Sequence, residues 1–493
     1  MSTGPKLDAA AIATNMAEIH PPLNPAAAVV AAHRCLFCFD APCIRACPTG
    51  IDIPAFIRKI TTDNLAGAGR TILSANILGA SCARVCPTAV LCEGACVLHA
   101  RGEAPVEIGR LQRHATDYVF ERQLQVLAPA GTATGFRVAV LGGGPAGLGC
   151  AAELAQLGHG VTVFEKRPRA GGLNTHGIAY YKMKPDVSLA EVEMVARLGV
   201  EFRRGVEVGR DISLADLERD FAALFLGFGL GGGRRLGIPG EDLPGVVEAV
   251  DWIEQLHTRP LETVAVGESV AVIGGGNTAL DAVNQARRLG ARQVVVIYRR
   301  GVDDLPAYAF ERQLALQGGA EFLFYTKPVA ILADAAGAVS GIRLAATRAQ
   351  RIGEPEPDLT TAQVMPVDMV IKAVGQEKPG AILRQLLPDL ALNPDGTVRH
   401  DATTGQTNLP RVFTGGDCAN GGREVVNAVA EGKRAARGIH ALLTGKVVTG
   451  PVQSSRAGVT GNPWGAGFDQ PIRVAPVARK HSTKEDAHGG PVR

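Results

Sequence analysis

From Phe136 onward the chain repeats one pattern of apolar and polar positions. A run of four or five mostly β-branched residues leads into a glycine-rich break, then into a segment with apolar residues at helical spacing. Strands that alternate with helices in this way predict an α/β fold built on parallel sheet. Met369–Ile371 and Val412–Thr414 read as two further short strands. Before Phe136 the pattern changes. Ile53–Ile60 and Gly67–Leu73 predict helices, and a stretch rich in Ala, Gly and Thr, Leu127–Gly135, reads as a linker between the two regions.

The α/β part contains an internal repeat. Arg137–Arg167 reads as strand, glycine turn, helix and strand, and Ser269–Arg300 reads the same way. Each unit carries Val-Ala-Val, an apolar residue and three glycines, and each helix stops at a glycine, Gly158 or Gly290. Glycine is the usual residue just past a helix end because it accepts left-handed backbone. A duplicated βαβ unit implies two dinucleotide sites.

Composition adds little to this except at glycine and cysteine. The 493 residues suggest about three domains. Apolar residues make up 46% and charged residues 20%, ordinary values for a chain with a large core. A formal net charge of +3 argues for neither nucleic acid nor an anionic membrane as partner. Many of the 60 glycines cluster after apolar strands, where phosphate-binding turns are built. Met1–Pro21 has no basic segment followed by a long apolar run, and no stretch reaches the ~18 apolar residues of a membrane span. A cytoplasmic location is expected, where grouped cysteines read as metal ligands.

Eight of the ten cysteines fall before residue 125. The first run is Cys35-x2-Cys38-x4-Cys43-x3-Cys47-Pro48 and the second is Cys82-x3-Cys86-Pro87-x4-Cys92-x3-Cys96. Short thiolate spacings ending in Cys-Pro resemble two-cluster bacterial ferredoxins. Structural zinc takes four ligands, commonly as two short knuckles, and fits eight unevenly spaced cysteines poorly. By spacing alone the eight divide into two sets of four. Cys150 and Cys418 are isolated, form no Cys-x-x-Cys pair, and read as packing residues.

In the first glycine turn, Gly142, Gly144 and Gly147 surround Pro145 and Ala146 in a G-x-G-x-x-G pattern. The three glycines serve the tight turn, the approach of a pyrophosphate and close packing of helix on strand. Glu165, followed by Lys166, ends the next strand, where an acid accepts a ribose hydroxyl. Gly171-Gly172, followed by Leu173, fits a chain passing close to a flavin, and Gly416-Asp417 after the strand at 412–414 fits the ribityl or phosphate end of FAD. The second turn, Gly274, Gly276, Asn277 and Thr278, has alanine at its third glycine position. Its second strand ends in Arg299-Arg300 rather than an acid, which leans toward the 2′-phosphate of NADPH without excluding NADH. Ala373-Val374-Gly375 reads as the crossing back between the two nucleotide domains. The eleven histidines form no catalytic constellation, and no catalytic side chain is expected, because cofactors carry this chemistry.

These residues carry a family resemblance. Arg34-Cys35-Leu36-Phe37-Cys38, Asp40-Ala41-Pro42-Cys43, Ala46-Cys47-Pro48-Thr49, Cys86-Pro87-Thr88, Leu91-Cys92-Glu93-Gly94-Ala95-Cys96 and Ile108-Gly109-Arg110-Leu111-Gln112 look like the N-terminal part of dihydropyrimidine dehydrogenase. The likeness covers about residues 30–445. The small subunit of glutamate synthase is similar too. The resemblance implies an α-helical iron–sulfur head followed by glutathione-reductase-like, Rossmann-type domains. They divide as 1–130 (head), 136–250 and 376–447 (FAD), 251–375 (inserted NAD(P) domain) and 448–493 (extended or disordered tail). It also implies two [4Fe–4S] clusters, one on Cys35, Cys38, Cys43 and Cys96, the other on Cys47, Cys86, Cys92 and Gln112, with Cys82 left to packing. The FMN-binding barrel of the long enzymes is not seen. The chain is therefore expected to be a separate electron-input subunit. It would pass electrons from NADPH or NADH through FAD to a partner subunit with FMN and its own clusters, which reduces uracil or thymine. The runner-up is the glutamate synthase small subunit serving a large amidotransferase; a cluster-sensing regulator is a third, non-enzymatic reading. Asp-Ala-Pro-Cys and Leu111-Gln112 favour the pyrimidine reading.

Overall fold

The computed structural model describes residues 7–347 and 354–450. The expected tail therefore lies outside the described residues from position 451 on.

The head is helical as its periodicity predicts. The helices Pro25–His33, Ile53–Thr61 and Leu65–Ala75 start at Asn24, Asp52 and Asn64. Each of those side chains accepts a bond from a backbone N–H of the first turn, which satisfies a donor that a helix start leaves unpaired. The apolar faces of these helices meet Leu111 and Ala115 of the helix Ile108–Glu121 around Phe56, Ile57 and Ile72. The expected linker is partly core. Ala128 is buried, and Leu127 is buried with Val126 in a cluster that runs from Leu73 and Val119 of the head into Val138 and Val140 of the α/β part. Head and body thus share one apolar core.

Among the described residues the α/β part has thirteen strands: β1 (Arg137–Leu141), β2 (Gly160–Glu165), β3 (Glu201–Arg204), β4 (Ala223–Leu226), β5 (Val246–Glu248), β6 (Ser269–Ile273), β7 (Gln293–Ile297), β8 (Glu321–Leu323), β9 (Thr326–Ala333), β10 (Val339–Thr347), β11 (Pro357–Pro366), β12 (Met369–Lys372) and β13 (Val412–Thr414). They form two five-stranded sheets, β13-β4-β1-β2-β3 and β5-β12-β6-β7-β8, and a three-stranded sheet, β11-β10-β9. Every pairing in the two large sheets is parallel. In each, the first strand of the repeat (β1 or β6) sits centrally, with the rest of its βαβ unit on one side and a later strand on the other. The order reverses beside that first strand, and open α/β sheets bind ligands at such a point.

Two segments fall elsewhere than expected. β5 pairs with β12, so the second sheet begins at Val246, before the expected boundary at 251. A three-residue strand is too short to show periodicity. The helix Ala9–Asn15 was expected in the head, yet its Ile12 and the following Met16 are buried with Trp252, Leu256 and Leu289 of the second nucleotide half. Among the described residues no helix is long and apolar enough to cross a membrane.

Candidate functional site

Each glycine turn is shaped by what lies across from it. Gly142 has φ +109°, and a Cβ there would drive into the Gly227 carbonyl. The same happens in the second sheet, where Gly274 faces the Ala373 carbonyl. The two places correspond strand for strand: Gly227 N donates to Leu141 O and Ala373 N to Ile273 O, each at 2.8 Å. Ala373–Gly375 is thus the counterpart of Gly227–Gly229. The first of these was read from the sequence and the second was missed, although the glycines crowding after the apolar run Ala223–Leu226 were a usable signal.

The turns feed their helices, Pro145–Gln156 and Asn277–Leu289, whose N-termini open on the cleft. At Gly147 a Cβ would strike the Gly142 carbonyl, so this helix lies hard against its own turn. Ala279, in the matching place of the second unit, is fully buried. Glu165 has more to do than the sequence shows. It is buried, and its carboxylate accepts from Gly143 N and Arg167 N, both at 2.8 Å. It therefore holds the turn in shape, while its remaining lone pairs can accept a ribose hydroxyl. A Cβ on Gly172 would lie 2.8 Å from the Gly144 Cα, so the two loops meet backbone to backbone. Burial raises the pKa of Asp417, and Gly416 N donates to Glu431 at 2.7 Å.

One cleft of about 1390 Å³ joins these parts. Gly142, Gly144, Pro145, Ala146, Glu165, Lys166, Gly172, Leu173, Gly416 and Asp417 line it from the first unit and its return strand. Gly274, Gly276, Asn277, Thr278, Arg299, Arg300, Ala373 and Gly375 line it from the second. Of the expected nucleotide residues, only Gly147 is beneath the surface rather than on it. A pocket for a single ligand usually measures ~300–1,000 Å³. The size, the two glycine cradles and the two helix N-termini fit FAD and a nicotinamide nucleotide side by side. Cys150 and Cys418 are buried outside the cleft, and Cys418 bonds the Leu226 carbonyl at 3.4 Å.

The cleft also touches the head. Val85 and Pro87, which flank Cys86, form part of its wall. Around Cys86 the thiols of Cys82, Cys92 and Cys47 lie near enough to act on it: a hydrogen bond with Cys82, burial, and the charge of all three raise its pKa. Burial, then Glu93 and Cys47, raise the Cys92 thiol as well. Cys35, Cys38, Cys43 and Cys96 line a separate cavity of about 30 Å³, walled by Ala41, Pro42, Ile53, Ile57 and Val106. Burial pushes Cys43 up to about 11, with Cys35 and Cys96 adding to it. Four thiols around an apolar hole fit a cluster whose iron charge would replace their protons. Among the described residues no three Cys, His, Asp or Glu side chains converge on a point as ligands of one ion; a cubane instead spreads its thiolates over several corners.

Gln112 lies on the buried face of the helix Ile108–Glu121, and its Nε2 donates to the Gly79 carbonyl at 2.7 Å. Gly79 begins the helix Gly79–Val85, which carries Cys82 and delivers Cys86 at its end. The far side of that helix start is capped by Glu191, which no sequence signal marks. Its Oε1 accepts from Ala80 N at 2.8 Å and Ser81 N at 2.9 Å, and its other oxygen meets the Ser81 hydroxyl.

Residues 136–432, more than half of the chain, match the pyridine nucleotide-disulphide oxidoreductase family. The chain belongs to that family. Residues 12–124 of the oxidoreductase match dihydropyrimidine dehydrogenase domain II with its 4Fe–4S cluster. A glutamate synthase [NADPH] small chain from Halomonas elongata is 36% identical over 447 residues, covering 87% of this chain and 93% of the relative. The NAD-dependent dihydropyrimidine dehydrogenase subunit PreT of Escherichia coli K12 is 35% identical over 428 residues, covering 87% and 97%. Among solved structures, Mycobacterium tuberculosis FprA in complex with NADPH aligns with a TM-score of 0.51 at 19% identity, over 63% of this chain and 85% of that one. At that identity the likeness speaks for the fold alone. The oxidoreductase is an NAD(P)H-dependent enzyme of FAD and 4Fe–4S chemistry, with an iron–sulfur head ahead of Rossmann-type domains.

Proposed function

We propose that the oxidoreductase is the electron-input subunit of a two-part dihydropyrimidine dehydrogenase, accepting hydride from a nicotinamide nucleotide for onward delivery to an FMN- and cluster-bearing partner. FAD supplies the step that joins the two kinds of carrier, because it exchanges electrons in pairs and singly. The chain's part is binding and placement. Gly142, Gly144 and Gly147 with Glu165, Gly172 and Asp417 hold FAD, and Gly274, Gly276, Asn277 and Thr278 hold the nicotinamide nucleotide.

The observation that carries this reading is the cleft wall. The surface that joins both glycine turns is closed on one side by Val85 and Pro87, which supports a cluster on the Cys86 group lying beside the cleft proposed to hold the flavin. Cys35, Cys38, Cys43 and Cys96 are proposed to hold one [4Fe–4S] cluster, supported by the cavity they share. Cys47, Cys86, Cys92 and Gln112 are proposed to hold the other, supported by the mutual influence of their thiols and by the burial of Gln112 beside the same helix. A cluster held by Cys47, Cys86, Cys92 and Gln112 would be the one next to the cleft wall, and the partner would take electrons from the head.

A second reading is the small subunit of a glutamate synthase, favoured by the relative from Halomonas elongata, which is as similar as the dihydropyrimidine dehydrogenase subunit. The test is to purify the oxidoreductase with the subunits that accompany it and to follow NADH and NADPH oxidation. Uracil should drive turnover. If 2-oxoglutarate plus glutamine does so and uracil does not, the second reading replaces the first.

A further inference from the structure

The three-stranded sheet enters the cleft at one corner. Thr326 N donates to Tyr298 O at 3.1 Å, Tyr325 N to Arg300 O at 3.0 Å, and the Thr347 hydroxyl to Arg299 O at 2.7 Å. The backbone of Tyr298, Arg299 and Arg300, just past β7, is therefore held by Tyr325, by Thr326 at the start of β9 and by the Thr347 side chain at the end of β10. The same junction brings together side chains that lie far apart in the sequence. One Glu354 oxygen, Oε1, is shared by Arg299 Nη1 and Lys327 Nζ, each at 3.0 Å. Arg299, Arg300, Lys327 and Glu354 all line the cleft. Asp304, the other nearby acid, is turned into its own loop, where its Oδ2 takes Gly301 N at 3.3 Å.

Two cations from different strands that meet on one oxygen form the donor set an anionic phosphate takes, with the guanidinium as the planar fork. Glu354 is 55% exposed, and an exposed pair of this kind is weak. A dianion presented to the same donors can take its place. NADH offers only a hydroxyl at the adenosine 2′ position, which cannot compete for two cations.

The 2′-phosphate of NADPH is already expected at Arg299; we propose that Lys327 joins Arg299 there, and that Glu354 is a resident carboxylate displaced by that phosphate and so sets the balance between NADPH and NADH. This rests on the reading that the second glycine turn binds the nicotinamide nucleotide.

The probes are 2′,5′-ADP and 5′-AMP, titrated by calorimetry into the purified holoprotein and into its Glu354→Gln and Lys327→Met variants. In the wild type 2′,5′-ADP should bind the tighter of the two. Glu354→Gln should strengthen 2′,5′-ADP by about tenfold and leave 5′-AMP within about twofold. Lys327→Met should weaken 2′,5′-ADP by about tenfold with 5′-AMP again unmoved. Added salt should shrink both effects, because the charges are partly exposed. Unchanged 5′-AMP binding also shows that each variant is folded. If both variants shift the two nucleotides alike, or neither moves 2′,5′-ADP, the subsite assignment is wrong. If the wild type binds neither nucleotide, the reading of the second turn fails and the subsite falls with it.

Discussion

Single atoms decide much at the glycine turns. At Gly147 the missing Cβ is what lets the helix meet its turn, whereas Ala279 fills the matching place in the second unit. Gly147→Ala should therefore displace the helix at a cost of ~1–3 kcal/mol and leave the purified protein with several-fold less bound flavin. Ala279→Gly should cost only about 1 kcal/mol of stability, the usual price of glycine within a helix, and should leave flavin content intact. Flavin absorbance per protein chain reads both. Among the cysteines, Cys82 and Gln112 compete for one role beside Cys86. If Gln112 completes the second cluster, Cys82→Ser retains full iron and sulfide, while Gln112→Leu loses part of the iron and changes the spin-resonance spectrum of the reduced head. The opposite pattern would hand the position to Cys82.

Among the elements, the helix Gly79–Val85 shows how head and body are joined. Its first turn is held by Glu191 from the helix Pro185–Arg197 of the body. Burial pushes the Glu191 carboxyl up to about 7, and the bonds from Ser81 and Ala80 offset that only in part. The sign follows from where the proton is bound. Below a pH of ~4.5 the group is protonated in both folded and unfolded chains. From there to about 7 the folded protein keeps a proton that the unfolded chain has released, so stability falls as pH rises through this window and then levels off. The contribution is up to about 3 kcal/mol. Urea melts at pH 5 and 7.5 should show this loss in the wild type and a shallower one in Glu191→Gln. Equal pH slopes in the two proteins would contradict the assignment.

For the whole molecule, the question is what keeps two nucleotide halves in one orientation. Lys182, from the first half, is buried between Asp281 at 2.6 Å and Glu311, both from the second half. Burial alone would lower its pKa, yet the two carboxylates raise it. The Tyr181 hydroxyl adds a bond to Asp281 at 3.1 Å and Tyr180 N one to Gln285 at 2.9 Å. Removing the cation strands two buried acids, so Lys182→Met should destabilise the protein by ~3–5 kcal/mol. Adding Asp281→Asn and Glu311→Gln should recover most of that loss in a denaturation series. A triple variant as unstable as the single one would show that packing, not stranded charge, governs the site.

What the sequence determined by itself was local. Gly142–Gly147 and Gly274–Thr278 announce themselves because turn, helix and strand are neighbours in the chain, and the two βαβ units betray each other by repetition. The two cysteine runs likewise pointed to iron–sulfur chemistry, since short spacings are a property of one loop. Only the tertiary structure decided what distant segments make together. Spacing alone divides the cysteines four and four; the family resemblance already grouped Cys96 with Cys35, Cys38 and Cys43, and the fold brings it to the cavity they line because the chain folds back over some fifty residues. The cap by Glu191, the lodging of Ile12 and Met16 against the second sheet, and the meeting of Arg299 with Lys327 and Glu354 leave no mark on any periodicity. Each is a contact between residues whose separation along the chain sets no constraint on their separation in space, and only packing of the finished core brings them together.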